Sequence, residues 1–240
     1  MLHRFPRILA CGDSALSVEL ADTIDEDVNA RVIALAQDLE TDPIPGVEDL
    51  VPTYRALLVH YDPAMLRGAD LAQGLARRMD GLTPTVGGGR QVVVPVVYGG
   101  AAGLDLDDLA EMKGMSAEAL VALHAGADYR VHMIGFAPGF AYLGGLPERL
   151  HTPRLAVPRQ HVEAGSIGIG GQQASVNSVA GPSGWRFIGR TPLRLFDPTR
   201  EDPCLLRPGD RIRFRPIGPD EGAALERAVA KGEWIAGVPL

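Results

Sequence analysis

Three segments between Gly135 and Thr191 decide how this chain is read. They are Gly135-Phe-Ala-Pro-Gly-Phe-Ala-Tyr-Leu-Gly-Gly-Leu146, Gly165-Ser-Ile-Gly-Ile-Gly-Gly-Gln-Gln173 and Gly181-Pro-Ser-Gly-Trp-Arg-Phe-Ile-Gly-Arg-Thr191. Glycine permits positive φ and close backbone approach at a cost in chain entropy. So many glycines beside Phe136, Phe140, Tyr142 and Trp185 shape a surface rather than fill a helix. Pro138-Gly139 and Pro182-Ser183-Gly184 signal turns. Between them Arg130–Phe136, Ala164–Gly170, Ala174–Val179 and Trp185–Ile188 have strand composition. The stretch reads as strands and tight turns around a cleft lined by aromatics, although bulges and turns alone would also use such glycines. Gly165–Gly170 contains Gly-x-x-Gly-x-Gly, but no helical pattern follows, so it is not a dinucleotide fingerprint.

Outward from this stretch, residues 1–88 predict a small α/β sandwich. Arg7–Cys11 and Ala15–Leu20 flank the hairpin connection Gly12-Asp-Ser14. Asp25 and Asp27 open a helix whose apolar face is Val28, Val32, Leu35 and Leu39, and Pro43 and Pro45 stop it. Val47–Val51 and Tyr54–His60 are strands. A second helix is expected from about Pro63 to Asp80, with Leu71, Leu75 and Met79 in register. Gly87-Gly88-Gly89 is the expected linker, so the second domain covers 89–240. It opens with the strand Gln91–Tyr98. Helices are expected over Leu104–Met112, with Asp105, Asp107 and Asp108 complementing its dipole, and over Ser116–His124, with Ser116 as cap. Strand patterns then run almost to the end. Leu205–Leu206, Arg207-Pro-Gly-Asp210 and Arg211–Phe214 read as strand, turn, strand. Gly218–Lys231 is a last helix. The class is α+β, with a mostly β second domain.

The 240 residues are 46% hydrophobic, enough for one large or two small cores. A net charge of −7 gives no reason to expect nucleic acid or an anionic membrane as partner. Cys11 and Cys204 form no Cys-x-x-Cys, which suits a reducing compartment, and no apolar run resembles a signal peptide or a membrane span. A cytoplasmic location is expected.

The three segments resemble, in order, those of the family of 5-oxoprolinase B subunits, also described as allophanate hydrolase subunit 1 or kinase-A inhibitor, and part of the carboxyltransferase region of urea carboxylase. Gly12-Asp-Ser-Ala15, Val51-Pro-Thr-Tyr-Arg55, Tyr98-Gly-Gly100 and Ile188-Gly-Arg-Thr-Pro192 extend the likeness over nearly the whole chain. The resemblance implies a cyclophilin-like barrel for the second domain. It implies one component of an ATP-dependent 5-oxoprolinase that acts on a lactam. The partners it implies are two further subunits, a homologous larger C-like one and a separate A-like one. An allophanate hydrolase or biotin-dependent carboxyltransferase module, and an inhibitor of a sensor histidine kinase, are the alternatives. The family usually carries Gln-Thr-Gly-Ile-Tyr-Pro where this chain has Gln173-Ala-Ser-Val-Asn-Ser178, and Ser-Pro-Gly where it has Gly181-Pro-Ser183. A changed substrate would follow if that strand touches the ligand.

No Walker loop is present, so ATP is expected to be handled elsewhere in the complex, at a site this sequence does not locate. The six histidines show no metal-type spacing, and no metal ligands are expected. His132 is either a general base or an ordinary hydrogen-bonded strand histidine. Arg159 and Arg190 either hold a substrate carboxylate in a planar fork or pin turns. Gln173 suits an amide or ureido group. Phe136, Pro138, Phe140, Tyr142 and Trp185 complete the expected substrate site. Arg211, Arg213 and Arg215 alternate on one strand face, as a solvated or a docking surface.

Overall fold

A computed structural model describes residues 5–82 and 89–232, so Gly87-Gly88 of the expected linker lies outside the described residues. Contacts divide the chain into two compact units, Met1–Gly88 and Gly89–Leu240. In the first, strands β1 (Arg7–Ala10), β2 (Ala15–Glu19), β3 (Val47–Pro52) and β4 (Ala56–Tyr61) form an antiparallel sheet ordered β1-β2-β4-β3. Helix α1 (Glu26–Thr41) starts where the Asp25 carboxylate accepts from the Asp27 and Val28 N–H groups. Its expected face is buried: Val32, Leu35 and Leu39 pack with Leu16, Val18, Leu57 and Val59. Helix α2 (Gly68–Asp80) adds Leu71, Leu75 and Met79. It begins five residues after the expected Pro63, because the Asp62 side chain accepts from the Ala64 N–H and holds a separate turn there.

The second unit contains β5 (Gln91–Tyr98), α3 (Leu106–Met112), α4 (Ala117–Ala125), β6 (Tyr129–Ile134), β7 (Ala141–Gly144), β8 (Arg159–Val162), β9 (Ser166–Gly170), β10 (Gln173–Val176), β11 (Gly181–Ser183), β12 (Arg186–Arg190), β13 (Arg211–Pro216) and α5 (Pro219–Ala230). Seven strands close into a barrel in the order β10-β7-β6-β13-β5-β12-β9, while β8 and β11 pair as a separate ribbon. The α+β class with a closed β barrel is therefore present. Val94, Val96, Val131, Leu143, Ile167, Ile169, Ala174, Val176 and Phe214 fill the barrel.

One expectation is corrected here. Residues 205–214 are not a hairpin. Leu205 and Leu206 instead plug the barrel core, and β13 pairs in parallel with β5, Ile212 beside Val92 and Phe214 beside Val94. At Gly89, φ is +124° and a Cβ would lie 2.1 Å from the Gly209 carbonyl oxygen, so this position requires glycine.

Candidate functional site

The site lies on the outer wall of the barrel. Strand β10 pairs with β7 on one side, Ala174 opposite Leu143, and with β9 on the other, Gln173 opposite Gly170. Ala174, Val176, Leu143 and Ile169 face the core. Alternation therefore turns Gln173, Ser175, Tyr142, Gly144, Gly168 and Gly170 outward.

Two of these glycines make room for rings. A Cβ at Gly144 would sit 2.3 Å from Cε1 and 2.4 Å from Nε2 of His132. A Cβ at Gly170 would sit 2.8 Å from Cδ2 and Cε3 of Trp185. Gln173 lies opposite Gly170 and one place beyond the Ala174–Leu143 pair, level with Gly144. An imidazole, a carboxamide and an indole thus stand side by side across β7, β10 and β9. The glycine floors are about 10 Å apart, two strand spacings. His132 and Trp185 are both buried, whereas Gln173 is half-exposed. Among the described residues the Gln173 carboxamide has no hydrogen-bond partner.

An aromatic wall adjoins these three groups. Ring centroids of Tyr142 and Phe140 lie 4.7 Å apart, Tyr142 and Trp185 6.0 Å, and Phe140 and Trp185 6.3 Å. Val162, Trp185 and Phe187 form a small core of their own, with Tyr142 packed against it. Burial raises the Tyr142 pKa and the nearby Arg154 charge pulls it back. Phe136 stands at the edge, 74% exposed, its ring edge-on to Phe140 at 5.5 Å. It is the positive-φ non-glycine among the described residues, at +70°. Such a conformation in a bulky residue is costly and is found where surrounding structure imposes it. Here a tight turn imposes it: the Gly135 N–H donates to the Phe140 carbonyl and the Phe140 N–H to that of Ala137. Pro138 is exposed on this turn. Gly139, at φ +74°, lets the turn press on Leu195 and Phe196.

The expected arginines are committed elsewhere. Both terminal nitrogens of Arg159 donate to the Asp105 carboxylate, at 2.9 and 2.6 Å. Asp105 also accepts from the Phe187 N–H at 2.7 Å. From its place at the N-terminus of α3 it therefore fastens β8 and β12 together, and Arg159 is paired with this carboxylate rather than with the backbone carbonyls of a turn. Arg190 donates from Nη2 to Glu226 of α5 at 2.5 Å. Arg190 pairs with Ser166 of β9 and Gln173 with Gly170. Those β9 partners are four residues apart, about 13 Å along the strand, so Arg190 does not share the site of Gln173.

Arg190, Glu226 and Glu163 line a cavity of about 700 Å³ with Val97, Tyr98, Pro192 and Ala223. Its charged lining is one guanidinium and two carboxylates. Among the described residues no group of three His, Cys, Asp or Glu could hold a metal ion. No helix there is long and apolar enough to cross a membrane.

Of the segment that departs from the family pattern, Ala174 and Val176 face the core, and Asn177 donates to the Glu163 carbonyl. Only Ser175 reaches the wall, where a Cβ at Gly168 would lie 2.7 Å from its Oγ. Arg213 and Arg215 of the basic stripe pair with Asp128 and Glu221. One residue at the site escapes the sequence pattern altogether. The Arg154 guanidinium lies over the Trp185 ring, 4.9 Å from its centroid.

Comparison with known proteins agrees with this architecture. Residues 6–206 match the model of the carboxyltransferase domain, subdomain C and D, and the chain belongs to that family. Within it the chain belongs with the 5-oxoprolinase B subunits. It is 42% identical over 215 residues to the protein so named from Escherichia coli O157:H7, covering 88% of this chain and 95% of the relative. For the Bacillus subtilis protein of the same name the figures are 38% over 215 residues, 85% and 89%. The structure of TTHA0988 is similar at 37% identity and TM-score 0.76 over 85% of this chain, which spans 40% of that longer protein. The Kluyveromyces lactis urea amidolyase shares the fold, with TM-score 0.79 at 18% identity over 95% of this chain and 16% of its own.

Proposed function

We propose that this chain is the B subunit of a cytoplasmic, ATP-dependent 5-oxoprolinase that opens 5-oxo-L-proline to L-glutamate. It would work with two further subunits, a larger C-like one and a separate A-like one. The observation that carries the reading is the identity of 38% and 42% to two B subunits, spanning 89% and 95% of their lengths. The wall geometry gives it a chemical rationale. Gln173 offers one acceptor and two donors to an amide. The Trp185 and Tyr142 rings, in contact at 6.0 Å, form an aromatic wall beside Gln173 against which a flat ring could rest. His132, over Gly144, is the group that could accept a proton from an attacking water. Opening a lactam requires an activated amide, which accounts for the coupling to ATP as co-substrate, handled elsewhere in the complex. The chain alone is expected to be inactive. The likeness in fold to urea amidolyase keeps a carboxyltransferase-type reaction as the second reading.

The test is ATP-dependent glutamate release from 5-oxoproline by the reconstituted complex. Glutamate formed only when all subunits and ATP are present supports the proposal. No release, together with carboxyl transfer when a biotinylated carrier is supplied, supports the second reading instead. Turnover by this polypeptide by itself overturns the assignment of chemistry to the assembly.

A further inference from the structure

We infer that Arg154 is the carboxylate anchor of the His132–Gln173–Trp185 site, which therefore selects a small cyclic amide bearing a carboxylate. The inference rests on reading that wall as a substrate site. Three arginines are candidates for an anionic group. Arg159 spends both terminal nitrogens on Asp105. Arg190 is turned to Glu226, four β9 residues away from the level of Gln173. Arg154 has neither a carboxylate nor a carbonyl partner among the described residues, and its charge stands over the face of Trp185. That contact holds the guanidinium by the ring quadrupole and leaves its N–H fork for a ligand.

The backbone around Arg154 is fixed on both sides. The Thr152 N–H donates to the Gly171 carbonyl at 3.0 Å and the Gly171 N–H returns the bond at 2.7 Å. The Pro153 carbonyl accepts from Arg186 Nε at 3.2 Å, and the Leu155 N–H donates to Gly184 at 2.7 Å. Gly171 lies two residues before Gln173, in the turn between β9 and β10. Arg154 is thus tied to the turn that presents the carboxamide, and its charge is felt by Tyr142.

Gln173 supplies the second half of the selectivity. An open-chain secondary amide is almost always trans, with its N–H and C=O on opposite edges. A small lactam is held cis by its ring and shows both on one edge. The primary carboxamide of Gln173 shows a carbonyl and an N–H on one edge too, so the two can form a pair of parallel hydrogen bonds. A carboxylate on the ring carbon beside the nitrogen then extends from the lactam edge, toward a cation placed as Arg154 is. Peptides and simple carboxylic acids satisfy one half of this arrangement each.

The experiment is calorimetric titration of the assembled complex with 5-oxo-L-proline and with its neutral carboxamide. Wild type, Arg154→Gln and Arg154→Lys are compared, with turnover followed in parallel. The wild type is expected to prefer the acid by about ten- to a hundredfold, the range for one charge-assisted pair. Arg154→Gln should bind both probes equally, and Arg154→Lys should recover part of the preference. Arg154 is exposed and makes no hydrogen bond within the described residues, so only a small fall in thermal midpoint is expected for Arg154→Gln, from the lost contact with Trp185, and less for Arg154→Lys. A preference for the acid that survives in Arg154→Gln overturns the inference, as does a wild type that does not distinguish the probes. Selective binding that Arg154→Gln abolishes, without any turnover, leaves the anchor standing and sinks the 5-oxoprolinase reading.

Discussion

Replacing Asp105 separates a structural role for Arg159 from the ligand role suggested by its sequence context. The Asp105 carboxylate has a side chain 2% exposed and accepts three hydrogen bonds, two from Arg159 and one from the Phe187 N–H. Asp105→Ala leaves the Phe187 N–H, in a residue 1% exposed, without an acceptor. An orphaned buried donor costs about 1–3 kcal/mol. The Arg159 side chain is 30% exposed and can turn to water, so its share is taken near the surface-pair range, about 1 kcal/mol. The expected loss is about 3 kcal/mol. Arg159→Ala strands a buried carboxylate with one remaining donor. Losses of about 3–5 kcal/mol are usual for a fully buried pair, and solvent at Arg159 reduces this to roughly 2–3 kcal/mol.

The assay is urea unfolding followed by Trp185 fluorescence in a Trp234→Phe background. The two units need not unfold together, and Trp185 reports the barrel alone. With a slope of about 2 kcal/mol/M, the Asp105→Ala midpoint should fall by about 1.5 M. The double variant should lose less than the sum of the singles, because both remove one contact. A midpoint shift below about 0.3 M for Asp105→Ala would refute the reasoning. So would Arg159→Ala that keeps its stability and loses 5-oxoproline binding.

Two further outcomes follow from the same structure. Gly144→Ala should displace His132, since the new Cβ would lie 2.3 Å from its ring; overpacking of this kind costs about 1–3 kcal/mol, and turnover by the complex should fall more than tenfold if His132 handles a proton. A variant with the wild-type rate would remove His132 from the chemistry. His124 is buried, its Nδ1 2.9 Å from the Tyr98 hydroxyl, and burial lowers its pKa from 6.5 to about 3. The unfolded chain therefore binds the extra proton first, and this residue withdraws stability as pH falls from about 6.5 toward 3, by about 1.4 kcal/mol per unit, with no effect above that window. The difference in unfolding free energy between wild type and His124→Phe, measured from pH 8 to 4.5, should be flat above 6.5 and sloped below; a flat difference throughout would count against a neutral buried imidazole.

The first unit was legible from sequence because its signals are local. Val28, Val32, Leu35 and Leu39 recur at helical spacing, and all four lie in or against the core that α1 builds. The barrel was legible as closed or packed β, but not its strand order. Arg207-Pro-Gly-Asp210 has the composition of a hairpin turn, yet the strand that follows it pairs with residues 91–96. No local pattern encodes a parallel partner so far away. Asp210 shows what holds the arrangement: its carboxylate accepts from the Arg90 guanidinium and from the Arg207 N–H.

The site divides in the same way. Phe136, Phe140, Tyr142 and Trp185 stood out because aromatics dense among glycines are poor helix or core material, and the structure gathers all four on one wall. Whether an arginine is free to meet a ligand is different in kind, since it depends on which carboxylate folds beside it. Asp105 comes 54 residues before Arg159 and Glu226 comes 36 after Arg190. Both of those arginines sit in segments that look functional, and both are neutralised from a distance. Arg154 lies in an irregular Thr-Pro-Arg segment, and only the fold shows it resting on an indole. Glycine carries a similar lesson. Gly144 and Gly170 are visible in the sequence, but the rings they admit come from β6 and from the segment before β12. The matching of glycine to ring, and of guanidinium to indole, is tertiary information. It is also the information that turns an aromatic-rich stretch into a wall on which one guanidinium rests.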